Sequence, residues 1–229
     1  MKRRFFYSEA RTFEHPFGIL IVRIFKSTEK GWYMRVKKLP LIMIMAGLIV
    51  IGFGVWQIVE TNFQTDASLK EAKRIVAKAE SNYDEEEPFK NPKKIDPPKF
   101  GDTVGLLKIP KIEAELAIVE GTDPNDLKKG VGHYKGSYFP AENGQIVLSG
   151  HRDTVFRRLG ELEPGDIFEV QMPNGKFKYE LTNTKIVDAD DRTIITLQNT
   201  KEELIVITCY PFRFVGNAPQ RYIIYAKPI

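Results

Sequence analysis

Between Leu39 and Val59 the chain runs for twenty-one residues, LPLIMIMAGLIVIGFGVWQIV, without one charged side chain. At helical rise this length covers about 30 Å, the hydrocarbon thickness of a bilayer. A helix packed into a globular core normally keeps a polar face, and this stretch has none. It is read as a membrane anchor. Arg35, Lys37 and Lys38 flank one side, while Glu60 and Asp66 follow the other. The positive-inside rule then puts the N-terminus in the cytoplasm and everything after residue 60 outside, as a single-pass protein of the cell membrane. No obvious small-residue cleavage site follows, so the anchor is expected to be retained.

Charge is divided along the same line. Residues 1–38 hold ten Lys/Arg and three Asp/Glu, a balance of +7, so the net +4 of the whole leaves −3 for the remaining 191 of 229 residues. The basic excess belongs to the tail, and nucleic-acid binding by the folded part is not expected. A single cysteine excludes an internal disulfide and any zinc cluster of several cysteines. Upstream of the anchor, the apolar patch Phe17–Ile21 is too brief to span a membrane. Met34, followed by the basic cluster, makes a natural start, so residues 1–33 are read as a dispensable cytoplasmic tail or a misassigned start. His15 has no companion there and receives no function.

Beyond the anchor, Leu69, Ala72, Val76, Ala79 and Tyr83 alternate at spacings of three and four, which predicts a helix over 65–83. Asp66 is a candidate cap, and Ser68 with Glu71 has capping-box spacing. The narrow stripe reads as a juxtamembrane stalk, with a short coiled coil as the sharper alternative. Residues 84–103 carry Pro88, Pro92, Pro97 and Pro98 among blocks of both charges and read as a semi-extended linker. Residues 60–103 are thus stalk and linker, and 104–229 a domain.

That domain alternates short apolar runs with turns. Strands are predicted over 104–109, 115–120, 145–149, 166–172, 176–187, 204–209 and 221–227. Pro173-Asn174-Gly175 is a hairpin turn. Helical turns are expected from Asp123 and over 155–162. The fold class is mainly β: seven or eight short strands in a closed or nearly closed barrel with short helices, preceded by one transmembrane helix and a stalk.

Three strand ends carry chemistry. Cys209 ends the run Leu204–Thr208, His151 stands just beyond the run Gln145–Ser149, after Gly150, and Arg221 opens the last strand. A thiol needs a nearby cation or a suitable environment to become a nucleophile, imidazole exchanges protons near neutral pH, and guanidinium donates to a developing oxyanion. Together they suffice for acyl transfer through a thioester. Taken singly, each has a plainer role: a core cysteine, a turn histidine, a solvent-facing arginine. His133, in Val131-Gly132-His133-Tyr134, competes for the imidazole role and is assigned to turn structure.

Three segments, GHRDT at 150–154, ITCYPF at 207–212 and GNAPQRYIIYA at 216–226, together resemble the sortases, cysteine transpeptidases of Gram-positive surfaces. Cys-Tyr-Pro-Phe followed by Gly-Asn-Ala-Pro and Arg-Tyr looks most like the class D branch of bacilli and clostridia. One departure is that Ile205-Val206-Ile207-Thr208 stands where the family commonly has Thr-Leu-x-Thr.

The resemblance implies an eight-stranded barrel over roughly 104–227, with His151, Cys209 and Arg221 converging at one mouth. The implied substrate is a surface protein with a Leu-Pro-x-Thr-type sorting signal, cleaved after Thr and passed to a peptidoglycan precursor amine. Thr208, Tyr210 and Ala218 are candidate substrate contacts, with 189–203 and 210–220 as groove walls. Asp96-Pro97-Pro98-Lys99-Phe100 loosely resembles the lid motif of pilin-building sortases. No cofactor or metal is expected. Calcium, which some sortases bind, would have Asp188, Asp190 and Asp191 as candidates, and a solvated acidic turn is the preferred reading. The competing functions are another cell-wall cysteine peptidase and a non-enzymatic, membrane-tethered binding module. Papain-like enzymes place cysteine before histidine, the reverse of the order here, and L,D-transpeptidases carry a Ser-x-Gly-Cys element that is absent.

Overall fold

A computed structural model describes residues 16–81 and 97–229, with side chains from residue 38 onward. The first fifteen residues, with His15, lie outside it, as do 82–96, and with them Tyr83, most of the linker and Asp96 of the lid-like motif.

Nothing between Val59 and Thr65 breaks a helix: the residues there are Glu60-Thr61-Asn62-Phe63-Gln64, without glycine or proline. A single helix, α1 (Pro16–Glu80), accordingly runs through anchor and stalk. No helix begins at Asp66, so neither expected cap is used. Lys38–Glu80 is long and apolar enough to cross a membrane, and Leu41, Ile49, Val50 and Trp56 are exposed along it. The chain divides into two units, 1–57 and 58–229.

Within the second unit the stripe is not free. Leu69, Ala72 and Val76 pack against Leu106, Ala117 and Val119, the outward residues of β1 (Thr103–Ile109) and β2 (Ala114–Glu120). The segment read as a stalk or coiled-coil seam is an outer layer of the barrel. Lys73 and Lys108 both meet Glu115 there, at 2.5 and 3.0 Å.

The remaining elements are α2 (Pro124–Leu127), β3 (Val131–His133), β4 (Gln145–Gly150), β5 (Ile167–Met172), β6 (Gly175–Asp188), β7 (Glu203–Tyr210) and β8 (Gln220–Pro228). The strands close into a barrel in the order β1-β2-β3-β4-β7-β8-β6-β5. All pairs are antiparallel except β2 with β3 and β4 with β7. The seven predicted strands are present within two residues of their expected ends. The eighth, β3, is three residues long. Its His133 is 2% exposed and sits in the wall rather than in a turn. Its Nδ1 lies 2.7 Å from Glu120 Oε2, its Nε2 lies 3.0 Å from Ser137 Oγ, and its ring stacks on Phe139 at 4.2 Å. Those contacts consume the imidazole that competed for the catalytic role.

Alternation sorts the side chains of the closed sheet. Leu148, Leu204, Val206, Ile224 and Ala226 point inward to the main core. Ile205 and Ile223 point outward, where Val187 and Ile194 cover them and Ile207 and Tyr225 pack alongside.

Candidate active site

Strand register brings the three reactive groups to one end of three neighbouring strands. Cys209 on β7 is directly opposite Arg221 on β8, and opposed residues of an antiparallel pair have Cα atoms about 4.5–5.5 Å apart. On the other side of β7, the parallel pairing with β4 ends at Gly150 against Thr208, so His151 emerges one position on, at the level of Cys209. The strand order β4-β7-β8 is the reason that residues fifty-eight and twelve positions apart meet.

They meet on the outside of the wall. Cys209 follows Ile205 and Ile207 in alternation, and Arg221 precedes Ile223 and Tyr225, all on the outward face. The expected convergence at a barrel mouth is corrected in this respect: the groups are at the barrel's end but face away from its interior.

A cleft of about 310 Å³ opens there, lined by His151, Cys209 and Arg221, with Arg152 and Asp153 on one side and Gly216, Asn217 and Ala218 on the other. The cysteine is a free, partly exposed thiol. Arg221 Nη1 donates to the carbonyls of Ala218 at 3.2 Å and Gln220 at 2.9 Å. These bonds fix the guanidinium and leave its Nε and Nη2 without a protein acceptor among the described residues.

Local packing fixes the histidine's loop. A methyl group at Gly150 would fall 2.6 Å from the ring of Phe156, so glycine is what lets the buried phenyl close under the turn. Phe156 N–H donates to His151 O at 3.0 Å.

Thr208 is 2% exposed and its hydroxyl donates to Gly150 O at 2.8 Å. It therefore completes the wall, binding the end of β4 to β7, and offers nothing to a substrate. Tyr210 packs with Phe212 and Tyr222 at ring distances of 5.7 and 6.1 Å and does not line the cleft. Ala218 does. Of the 210–220 segment, Gly216, Asn217 and Ala218 form a wall of the cleft. The 189–203 segment covers the outward face further down, held by Gln145, whose Oε1 accepts from the N–H groups of Thr196 and Leu197.

Pro97–Phe100, the described part of the lid-like motif, does not line the cleft; Phe100 lies under Lys135 Nζ, 3.8 Å from the ring centre. Of the acidic trio, Asp191 Oδ1 accepts from Thr193 N–H and Oγ1 at 2.8 and 2.6 Å. These bonds hold its carboxyl below the ordinary range. Arg152, Asp153, Gly216 and Asn217 received no role in the sequence reading. Their signal was adjacency alone, because they flank the reactive residues within the same two motifs.

Residues 107–229 match the sortase domain family. The chain is 57% identical to Sortase D of Bacillus subtilis (strain 168) over 196 residues, 84% of this chain and 98% of that one. Among solved structures, a Clostridium perfringens Sortase D5 transpeptidase superposes with TM-score 0.58 at 28% identity, covering 72% of this chain and 98% of its own. The catalytic domain of Bacillus anthracis SrtD gives 0.50 at 41%, covering 60% and 94%. An eight-stranded barrel with one cysteine in an outward cleft, matched in this way, is a cysteine transpeptidase, and the chain belongs to the sortase family. Within that family it stands with class D.

Proposed function

We propose that this sortase cleaves a Leu-Pro-x-Thr-type sorting signal after Thr and joins the released carboxyl end of the surface protein to a peptidoglycan precursor amine. Cys209 Sγ attacks the threonine carbonyl, and the free N–H groups of Arg221 stabilise the oxyanion. Imidazolium at His151 gives its proton to the departing amine as the C–N bond breaks, leaving a thioester. The acceptor amine then attacks the thioester carbonyl. His151 takes the amine's proton, Cys209 departs as thiolate, and an amide remains. Water in place of the amine gives hydrolysis. The nucleophile, the proton donor and the oxyanion donor of the scheme are all side chains of this chain.

The observation that supports this reading is the register: Cys209 against Arg221 on one side and the His151 strand on the other. Ala218, in the cleft wall, is assigned to the acyl-donor peptide. Residues 39–59 are assigned to the cell membrane, with 1–38 cytoplasmic and the barrel of 104–229 extracellular, because the basic residues lie before the span.

The test is turnover of a fluorogenic Leu-Pro-x-Thr peptide library by the full-length chain, with and without a thiosulfonate. Cys209→Ala should abolish both hydrolysis and transpeptidation, and His151→Ala and Arg221→Ala should each lower kcat/KM by about 10² or more. Residual activity in Cys209→Ala would reject the assignment. The non-enzymatic alternative calls for a buried, unreactive thiol, and it would gain only if the thiosulfonate failed to modify Cys209.

A further inference from the structure

Arg152 follows the histidine and takes no part in the chemistry above. Its Nη2 donates to the carbonyls of Phe214 at 2.7 Å and Gly216 at 2.8 Å, sixty-two and sixty-four residues away along the chain. Its guanidinium carbon lies 6.0 Å from the centre of the Phe214 ring. These contacts join the loop after β4 to the loop between β7 and β8, the two sides of the cleft.

Little else restrains the second loop. Val215 is 94% exposed and Phe214 45% exposed, so burial contributes little there. Among the described residues, the other backbone bond of 213–217 is local, from Phe214 N–H to Pro211 O at 3.2 Å. Gly216 has φ +96° with open space where a side chain would be. Glycine serves the left-handed backbone there, at the point where its carbonyl meets Arg152.

The same guanidinium keeps one terminal nitrogen unpaired. Arg152 Nη1 is buried and has no hydrogen-bond partner among the described residues. A buried charged donor without an acceptor is destabilising, and such groups are uncommon in folded proteins. Because Nη1 is shielded from solvent, a backbone carbonyl of an extended peptide in the cleft reaches it as the 213–217 loop shifts on binding.

We propose that Arg152 is a positioning residue that fastens the β7–β8 loop as one wall of the peptide groove and keeps its remaining N–H for a backbone carbonyl of the acyl-donor peptide. The loop is then ordered further when the donor binds. This rests on the acyl-transfer reading above.

Two measurements on the full-length chain in detergent test it. In hydrogen exchange without peptide, Arg152→Ala should speed exchange of the 213–217 amides about tenfold or more and leave the barrel strands unchanged. Adding a Leu-Pro-x-Thr peptide to a Cys209→Ala background should slow those amides, and the slowing should vanish when Arg152→Ala is added. In kinetics, Arg152→Ala should raise KM about tenfold with kcat within about threefold. Arg152→Lys keeps the charge but loses the planar fork, and should recover little of either effect. Should Arg152→Ala not fold, Arg152→Gln, which reaches one carbonyl, should give intermediate exchange.

Unchanged exchange at 213–217, or a lysine variant with wild-type KM, would overturn the proposal. If the wild-type chain turned over no sorting peptide, the acyl-transfer reading would fall instead, and the peptide-free exchange would still decide the fastening role.

Discussion

Thr208 illustrates how one hydroxyl can support a site that it does not touch. It fixes Gly150 O at the last paired position before His151. Thr208→Val keeps the shape and removes the donor, leaving a buried carbonyl with one bond fewer. We expect a loss of about 1–2 kcal/mol in urea unfolding, accompanied by lower kcat. Unaltered turnover would mean that the histidine loop is held by Phe156 alone.

Tyr179 carries a pH signature. Burial, and then the carboxylate of Glu202 that accepts its hydrogen bond at 2.6 Å, push the phenol far above its ordinary value. In the unfolded chain it ionises near pH ~10. The folded state keeps the proton to higher pH, so this contribution is complete below pH ~10 and declines as pH rises beyond it, by at most about 1.4 kcal/mol per pH unit. Tyr179→Phe should cost about 1–2 kcal/mol at pH 7 through the lost bond, yet lose less stability than wild type between pH 9 and 11. Urea midpoints across that range report the difference.

At the scale of elements, the last turns of α1 belong to the barrel. Val76 is 6% exposed against β1 and β2, while its neighbour Ala77 is exposed. Val76→Asp buries a charge in an apolar contact and should cost about 2–4 kcal/mol, whereas Ala77→Asp should stay within about 0.5 kcal/mol. Thermal unfolding of the two variants separates an outer layer from a free stalk; equal effects would favour the stalk. Glu115, held below the ordinary carboxylate range by Lys73 and then Lys108, adds a small contribution at the same seam. It is present above pH ~4.5 and lost as pH falls, and it is weak because the pair is exposed to screening water.

Seven strands were legible because each alternates or carries an apolar run over five residues or more between turn signals. The eighth was not: Val131-Gly132-His133 is too short to show a period and includes a glycine. The helix over 65–83 was legible by its stripe, but its start was not. Capping residues mark a helix end only when the preceding segment cannot itself be helical, and the anchor can.

For the molecule as a whole, the reactive trio was readable as residue types at strand ends, and which face they occupy follows from parity once the inward residues are known. Their approach was not readable from spacing, since it depends on β7 lying between β4 and β8, a strand order that only long-range pairing sets. The tether between the cleft's two loops was invisible for the same reason. Arg152 sits in the Gly150-His151-Arg152-Asp153-Thr154 motif, but its acceptors are carbonyls, and carbonyls have no sequence signature.

The central claim is that the one thiol of this chain forms the covalent link to the sorting peptide, in a cleft shared with His151 and Arg221. Intact-mass and peptide-mapping spectrometry of the full-length chain, acid-quenched during turnover, tests it directly. A hydroxylamine-labile adduct on Cys209, with the mass of the peptide up to and including threonine, is the expected result; turnover with the adduct on another residue would contradict the account.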